Sequence, residues 1–143
     1  MSIKVRDSDI KIVEILMRDA RTPYTRIAEV LGVTEAAVRR RVRRLEEAGV
    51  IRRYTIDVDP KKIGYEVEAI IGLDVEPERI IDALDELKAM REVVRLYAAS
   101  GDHVIIAECW LRTSDDLRAF VKRLESMKGV KRVCPAIVLE RIK

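Results

Sequence analysis

Residues 38–45 read Val-Arg-Arg-Arg-Val-Arg-Arg-Leu, with five arginines among the six positions 39–44 and no acid between them. A helix advances about 100° per residue. That spacing gathers Val38, Val42 and Leu45 on one face and turns Arg39, Arg43, Ala36 and Arg40 outward together. Arg44 falls on the flank, and Arg41 lies nearer the core edge, where it is expected to pair with an acid of the same domain. An outward guanidinium row with small alanines at its N-terminal end suits a helix lying in the major groove of DNA. Arginine can bond guanine O6 and N7 together, and alanine can touch a thymine methyl. The other arginines would neutralise phosphates, which adds affinity without sequence information. A merely solvated charged helix is the alternative, and the short helix and turn that precede the run argue against it. Glu46 and Glu47 come only after the arginines, as expected if the far end leaves the groove.

Other chemistry is sparse. His103 is the single histidine; beside Asp102 it could titrate near neutrality, or it could be structural. Cys109 and Cys134 are too few for a disulfide framework, have no zinc-type spacing, and read as small buried thiols. One histidine and two distant cysteines do not make an ordinary zinc site. No metal or cofactor is expected. Tyr65, Tyr97 and Trp110 are too scattered for a base-stacking platform and read as packing or interface residues.

The elements that position the arginine helix follow from periodicity. Ile12, Val13 and Leu16 share a face of a first helix, and Ile27, Ala28 and Leu31 line a short second one. Thr22-Pro23 reads as an N-cap followed by proline at the first helical position, with Gly32 as the stop. Arg21 and Thr22 could present that helix start to a phosphate, or Thr22 could be a plain cap. Thr34 then caps a third helix running to about Ala48 and closed by Gly49. Two helices joined by a turn of roughly three residues, the second strongly basic, make a helix-turn-helix pattern. Val50–Val58 alternates and is β-branched, so a strand is expected there. Arg52 and Arg53 would then form a wing on the DNA backbone, or simply solubilise a strand edge.

From residue 65 onward the period changes. Every second residue from Val67 to Val75 is apolar, and a helix follows Pro77 with Ile80, Leu84 and Leu87 on one face. Strands are expected at 93–99 and 104–111, joined tightly through Ser100-Gly101-Asp102. Ser114 is expected to cap a helix carrying Leu117, Phe120, Leu124 and Met127, and a last strand runs over 130–139. The order β-α-β-β-α-β is that of a ferredoxin-like split βαβ fold, whose spatial strand order is 4-1-3-2. That order puts Pro135 on an edge strand, where proline belongs. It also separates Cys109 from Cys134 by a strand, against an intrachain disulfide. The fold class is therefore α+β, with a winged helix-turn-helix domain over 1–58, a linker over 59–64 and a ferredoxin-like domain over 65–143.

A length of 143 residues leaves room for one ordinary domain or two small ones. Residues 1–57 carry 13 Lys/Arg against 9 Asp/Glu, and the remainder 15 against 16, so the basic charge sits at the N-terminal end. At 48% hydrophobic residues a disordered chain is excluded. Charged residues reach 37%, with neither Asn nor Gln anywhere, which matches a high-temperature bias. No apolar run reaches the ~18 residues of a membrane span, and the N-terminus lacks a secretory pattern, so a cytoplasmic protein is expected.

Taken in order, Asp9…Ile12…Leu16, Asp19-Ala20-Arg21, Ile27-Ala28…Gly32-Val33-Thr34, Val38…Arg41-Val42-Arg43-Arg44-Leu45-Glu46…Gly49-Val50-Ile51, Gly64-Tyr65, Gly101 and Gly129-Val130 resemble the Lrp/AsnC (leucine-responsive, or feast/famine) transcription regulators over essentially the full length. The resemblance implies a DNA-binding winged helix-turn-helix and a C-terminal sensing domain that dimerises through its sheet, with dimers joining into tetramers or octamers. It implies DNA contacts at Thr34, Glu35, Ala36, Arg39, Arg40 and Arg43, to which Arg44 is added here as a phosphate contact. It also implies a small-molecule effector, usually an amino acid, at the loop Ser100, Gly101, Asp102 and His103. The family's loop often reads Gly-x-x-Asp, its acid holding the effector's amino group; here Val104 takes that place, and Asp102 is the nearest acid. Two other functions share this architecture. One is a DNA-compacting or metabolite-sensing protein of low sequence preference. The other is a siroheme-decarboxylase-type enzyme, which needs more histidines than this chain has. The expectation is a regulator, not an enzyme.

Overall fold

The computed structural model describes residues 3–143, which divide into two compact units meeting between Asp57 and Val58. In the first, helix α1 (Asp7–Arg18), α2 (Tyr24–Leu31) and α3 (Glu35–Glu47) pack Ile12, Leu16, Ile27, Ala28, Val38, Val42 and Leu45 into one core. The three residues placed on the inner face of α3 are each 0% exposed. Thr34 caps α3, its hydroxyl accepting from the Ala37 N–H at 3.1 Å. The turn between α2 and α3 hinges on Gly32, whose φ of +65° is the left-handed conformation that a Cβ opposes.

Two expectations for this unit need correction. Thr22 does not cap α2. Pro23 occupies the half-in position with an extended backbone, the helix begins at Tyr24, and the Thr22 hydroxyl instead donates to the Asp19 carbonyl at 2.7 Å. The expected wing strand is also absent. Residues 50–58 carry no strand, and among the described residues this unit has no second strand to pair with. An alternating β-branched run favours extension, but extension becomes a strand only where a partner offers its ladder.

The second unit opens with a short 3-10 turn, Pro60–Ile63, with Pro60 buried; the segment expected as a linker is thus built into a folded unit. Strands β1 (Val67–Val75), β2 (Val93–Ala98), β3 (Ile105–Leu111) and β4 (Val130–Ile137) form one antiparallel sheet in the order β2-β3-β1-β4. Helices α4 (Ile80–Lys88) and α5 (Ser114–Glu125) supply Ala83, Leu87, Leu117, Phe120 and Leu124 to the core. That core takes the odd-numbered residues of β1 and β3. The expected 4-1-3-2 order is met: Pro135 lies on edge strand β4, and Cys109 on β3 is separated from Cys134 by β1. Two helix starts differ from expectation. A 3-10 turn, Pro77–Arg79, precedes α4, and Thr113 rather than Ser114 caps α5, its hydroxyl accepting from the Asp116 N–H. In an extended-to-helix junction either hydroxyl can serve, and the backbone of residue 113 is the one left extended.

Candidate nucleic-acid interface and sensing loop

The arginines of α3 are not equivalent. Arg39 keeps its side chain 65% exposed while its Nη2 donates to Glu35 Oε1 at 2.7 Å, and its guanidinium carbon lies 5.4 Å from the centre of the Tyr24 ring. Arg43 is 81% exposed and donates to Glu47 at 3.2 Å. Arg40 is exposed and has no hydrogen bond or ion pair among the described residues. Thr34, Glu35 and Ala36 are exposed at the N-terminal end of the same helix. All seven residues predicted to contact DNA thus sit on α3 or its cap, and six of them are exposed.

Arg44 is the exception. Its Nη2 donates at 3.0 Å to Oδ2 of Asp9, which is fully buried and also accepts the Arg6 N–H at 2.9 Å. The sequence assigned the acid partner to Arg41; the structure gives it to Arg44, and Arg41 instead buries an Nη1 with no partner. A single-helix projection cannot tell them apart, because the choice depends on where α1 lays Asp9 against α3. Asp9 itself was read only as part of the family pattern. An acid at the third position of a helix is the available signal, since its oxygen reaches back to the N-terminal amides.

Tyr54 lies beyond α3 and donates to Glu46 Oε1 at 3.2 Å. Burial first, then Glu46 and Tyr24, pushes its phenol up to about 12, so it remains a hydroxyl donor throughout the neutral range.

In the second unit, Ser100, Gly101 and Asp102 are exposed in the β2–β3 loop. His103 leaves this group. Its ring lies on the strand at Gly72, where an added Cβ would sit 2.3 Å from His103 Cδ2, and its Nδ1 is 3.1 Å from Asp74 Oδ1. Arg132 Nε donates to the other oxygen of Asp74 at 2.7 Å. Desolvation pushes the Asp74 carboxyl up, but hydrogen bonds from Arg132 and His103 outweigh it and hold the group below its usual range. The Asp74–His103–Arg132 cluster was missed at the sequence level because its members lie 29 and 58 positions apart. The only signal was an acid at a non-core position of β1. Val104, in place of the family's acid, packs against the core.

The face of the sheet away from the helices carries Ile70, Tyr97, Ile106 and Trp110, with Glu108 held by Arg95 at 3.0 Å. Ile70 and Tyr97 are 42% and 46% exposed. Trp110 packs against Tyr65 with the rings tilted by 48° and their centres 5.7 Å apart, and Arg112 covers that tyrosine. Among the described residues there is no cluster of three or more metal-ligating side chains. No helix among them is long and apolar enough to cross a membrane.

Comparison with known proteins places these features. Residues 7–46 match the AsnC-type helix-turn-helix domain, and residues 68–143 match the Lrp/AsnC ligand binding domain. The chain is 46% identical over 140 residues to the HTH-type transcriptional regulator LrpA of Pyrococcus abyssi, covering 97% of this chain and 99% of that protein. Among solved structures it is similar to Escherichia coli AsnC, with a TM-score of 0.82, 29% identity and coverage of 99% and 96% of the two chains. The fold is also that of a Neisseria meningitidis regulator solved in complex with L-Met, at a TM-score of 0.86, 23% identity and coverage of 98% and 93%. With both halves matched in order, the chain belongs to the Lrp/AsnC family of helix-turn-helix transcriptional regulators.

Proposed function

We propose that the chain acts as a homodimeric regulator that reads a two-fold operator with α3 and answers to a small-molecule effector, an amino acid, at the β2–β3 loop. The observation that carries the DNA reading is the outer face of α3. Arg39, Arg40 and Arg43 stand exposed in a row behind the Thr34–Ala36 end, on the second helix of a helix-turn-helix. Arg40, with no acid to satisfy it, is assigned the base contact, and Arg43 a phosphate. Arg44 spends its Nη2 on Asp9, which leaves it a flanking contact at most.

The dimer reading rests on the half-exposed sheet face, where Ile70, Ile106, Tyr97 and Trp110 surround the Arg95–Glu108 ion pair. Burying such a face against its own copy is a closed two-fold solution, and two-fold symmetry predicts half-sites one helical turn or a multiple apart. The effector reading is supported by the ligand-binding-domain match. The exposed Asp102 supplies a carboxylate for an amino group where Val104 cannot.

The test is fluorescence anisotropy on the protein's own upstream region and on a random duplex, at several salt concentrations, with and without pooled amino acids. Tight upstream binding with a steep salt dependence, altered by the pool, supports the reading. Arg40→Ala is expected to weaken specific binding by about 1–3 kcal/mol. An equal loss on random DNA refutes the base contact, and equal affinity of the unaltered chain for both duplexes refutes sequence-specific recognition in favour of a DNA-packing role.

A further inference from the structure

We propose that Tyr24 is a positioning residue for DNA recognition: its ring and the Glu35 carboxylate together hold the Arg39 guanidinium in the orientation in which it meets DNA. The proposal rests on the reading of α3 as the DNA-contacting helix, and adds to it a residue of α2.

Of the three outward arginines, only Arg39 is held from two directions. Glu35, one turn earlier, grips Nη2 at 2.7 Å, while Tyr24 lies 5.4 Å from the guanidinium carbon. Both distances fall within the ranges for a charge-assisted hydrogen bond and a cation–π contact. Tyr24 is itself anchored. It is the first residue of α2 and packs, half-buried, against the core that contains Ile27 and Val38. Arg43 has a carboxylate but no ring within contact, and Arg40 has neither among the described residues.

Arginine carries substantial rotamer entropy that a contact must overcome. A side chain ordered before binding loses less of it at the moment of association, and the free energy appears as affinity for the geometry it is ordered into. The grip still leaves the side chain 65% exposed, so it orients Arg39 without burying it. Because a phosphate can be met in many orientations and a base edge in few, the benefit should fall on the operator and not on random DNA.

The experiment is a double-mutant cycle in the full-length chain, read by anisotropy on an operator selected from random duplexes and on a random duplex. The variants are Tyr24→Phe, Tyr24→Leu, Arg39→Ala and Tyr24→Leu/Arg39→Ala. Tyr24→Phe keeps the ring and is expected to bind like the unaltered chain. Tyr24→Leu is expected to lose operator affinity by roughly two- to five-fold, the size of an exposed cation–π contact, with random-duplex affinity unchanged. In the Arg39→Ala background the same substitution should have no further effect. An unchanged operator affinity for Tyr24→Leu overturns the proposal. So does a loss that persists without Arg39, because it would come from packing of α2; a folding defect reads out in that same arm. If Arg39→Ala weakens binding while Tyr24→Leu is silent, only the role of Tyr24 falls. If Arg39→Ala and Arg40→Ala are both silent, the α3 reading falls with it.

Discussion

Replacing Arg44 by alanine should destabilise the helix-turn-helix unit more than replacing its partner Asp9. The two ends of this ion pair are unequally buried: Asp9 is 0% exposed, whereas the Arg44 side chain is 41% exposed. Without Asp9, the guanidinium can turn toward water, and what is lost is one charge-assisted hydrogen bond plus the acceptor for the Arg6 N–H. Allowing for the hydration that Arg44 regains, that is about 1–2 kcal/mol. Without Arg44, the carboxylate stays in the core with the Arg6 amide as its remaining partner, since Oδ1 has none. An uncompensated buried charge costs about 3–5 kcal/mol. For a unit of this size a difference of about 2 kcal/mol corresponds to roughly 8–16 °C in melting temperature. Calorimetry of the full chain measures it, with amide exchange at Val38, Val42 and Leu45 assigning the transition to the first unit. A double replacement by apolar residues, Asp9→Leu/Arg44→Met, should recover to within about 1 kcal/mol of the original. Equal or reversed losses for the two alanine variants would refute the argument from unequal burial.

Gly72→Ala should displace the His103 ring, since the new Cβ would lie 2.3 Å from it; a loss of about 1–3 kcal/mol is expected in denaturant unfolding, and no loss would mean the ring moves freely. Burial above all, with Glu92 and Glu108 adding to it, pushes the Cys109 thiol up to about 12. At pH 8 an alkylating reagent should therefore leave Cys109 unmodified in the folded chain and label it only after unfolding, as mass spectrometry would show. Asp74 has a lowered carboxyl pKa, so its contribution to stability is complete above its ordinary value of 3.8 and fades as pH falls through the lowered folded value. Arg132→Met should accordingly lower the urea midpoint at pH 7 and converge with the unaltered chain in acid; a gap that stays constant with pH would rule the pairing out.

The sequence carries the apolar stripes of both units well, because burial imposes its period residue by residue. Val38, Val42 and Leu45, or the alternate residues of β1, need no knowledge of their neighbours to be placed inside. Strand order followed from topology, and Pro135 fell on the edge as proline must. What escaped depends on pairs between elements. The segment 50–58 reads as a strand but lacks a ladder partner in its unit, and local propensity cannot count partners. Arg44 and Arg41 are three positions apart on one helix, and only the lie of α1 decides which meets Asp9. His103 was legible as a loop residue next to Asp102, yet its ring turns to Asp74 across the sheet, a contact that register and a side-chain-free Gly72 make available.

The i,i+4 pairs Arg39–Glu35 and Arg43–Glu47 bear on how the protein finds a site as well as on how it holds one. In the free chain two of the three outward arginines are paired with acids of their own helix, so on the proposed reading a random phosphate competes with a carboxylate for them. That competition would weaken the grip on non-target DNA, while Arg40 is the outward arginine with no acid beside it among the described residues. A base edge that meets Arg39 through the donors Glu35 leaves free would not have to break that pair. On the proposed reading of α3, the acids beside the arginine run would thus act as a brake on dwell time at wrong sequences.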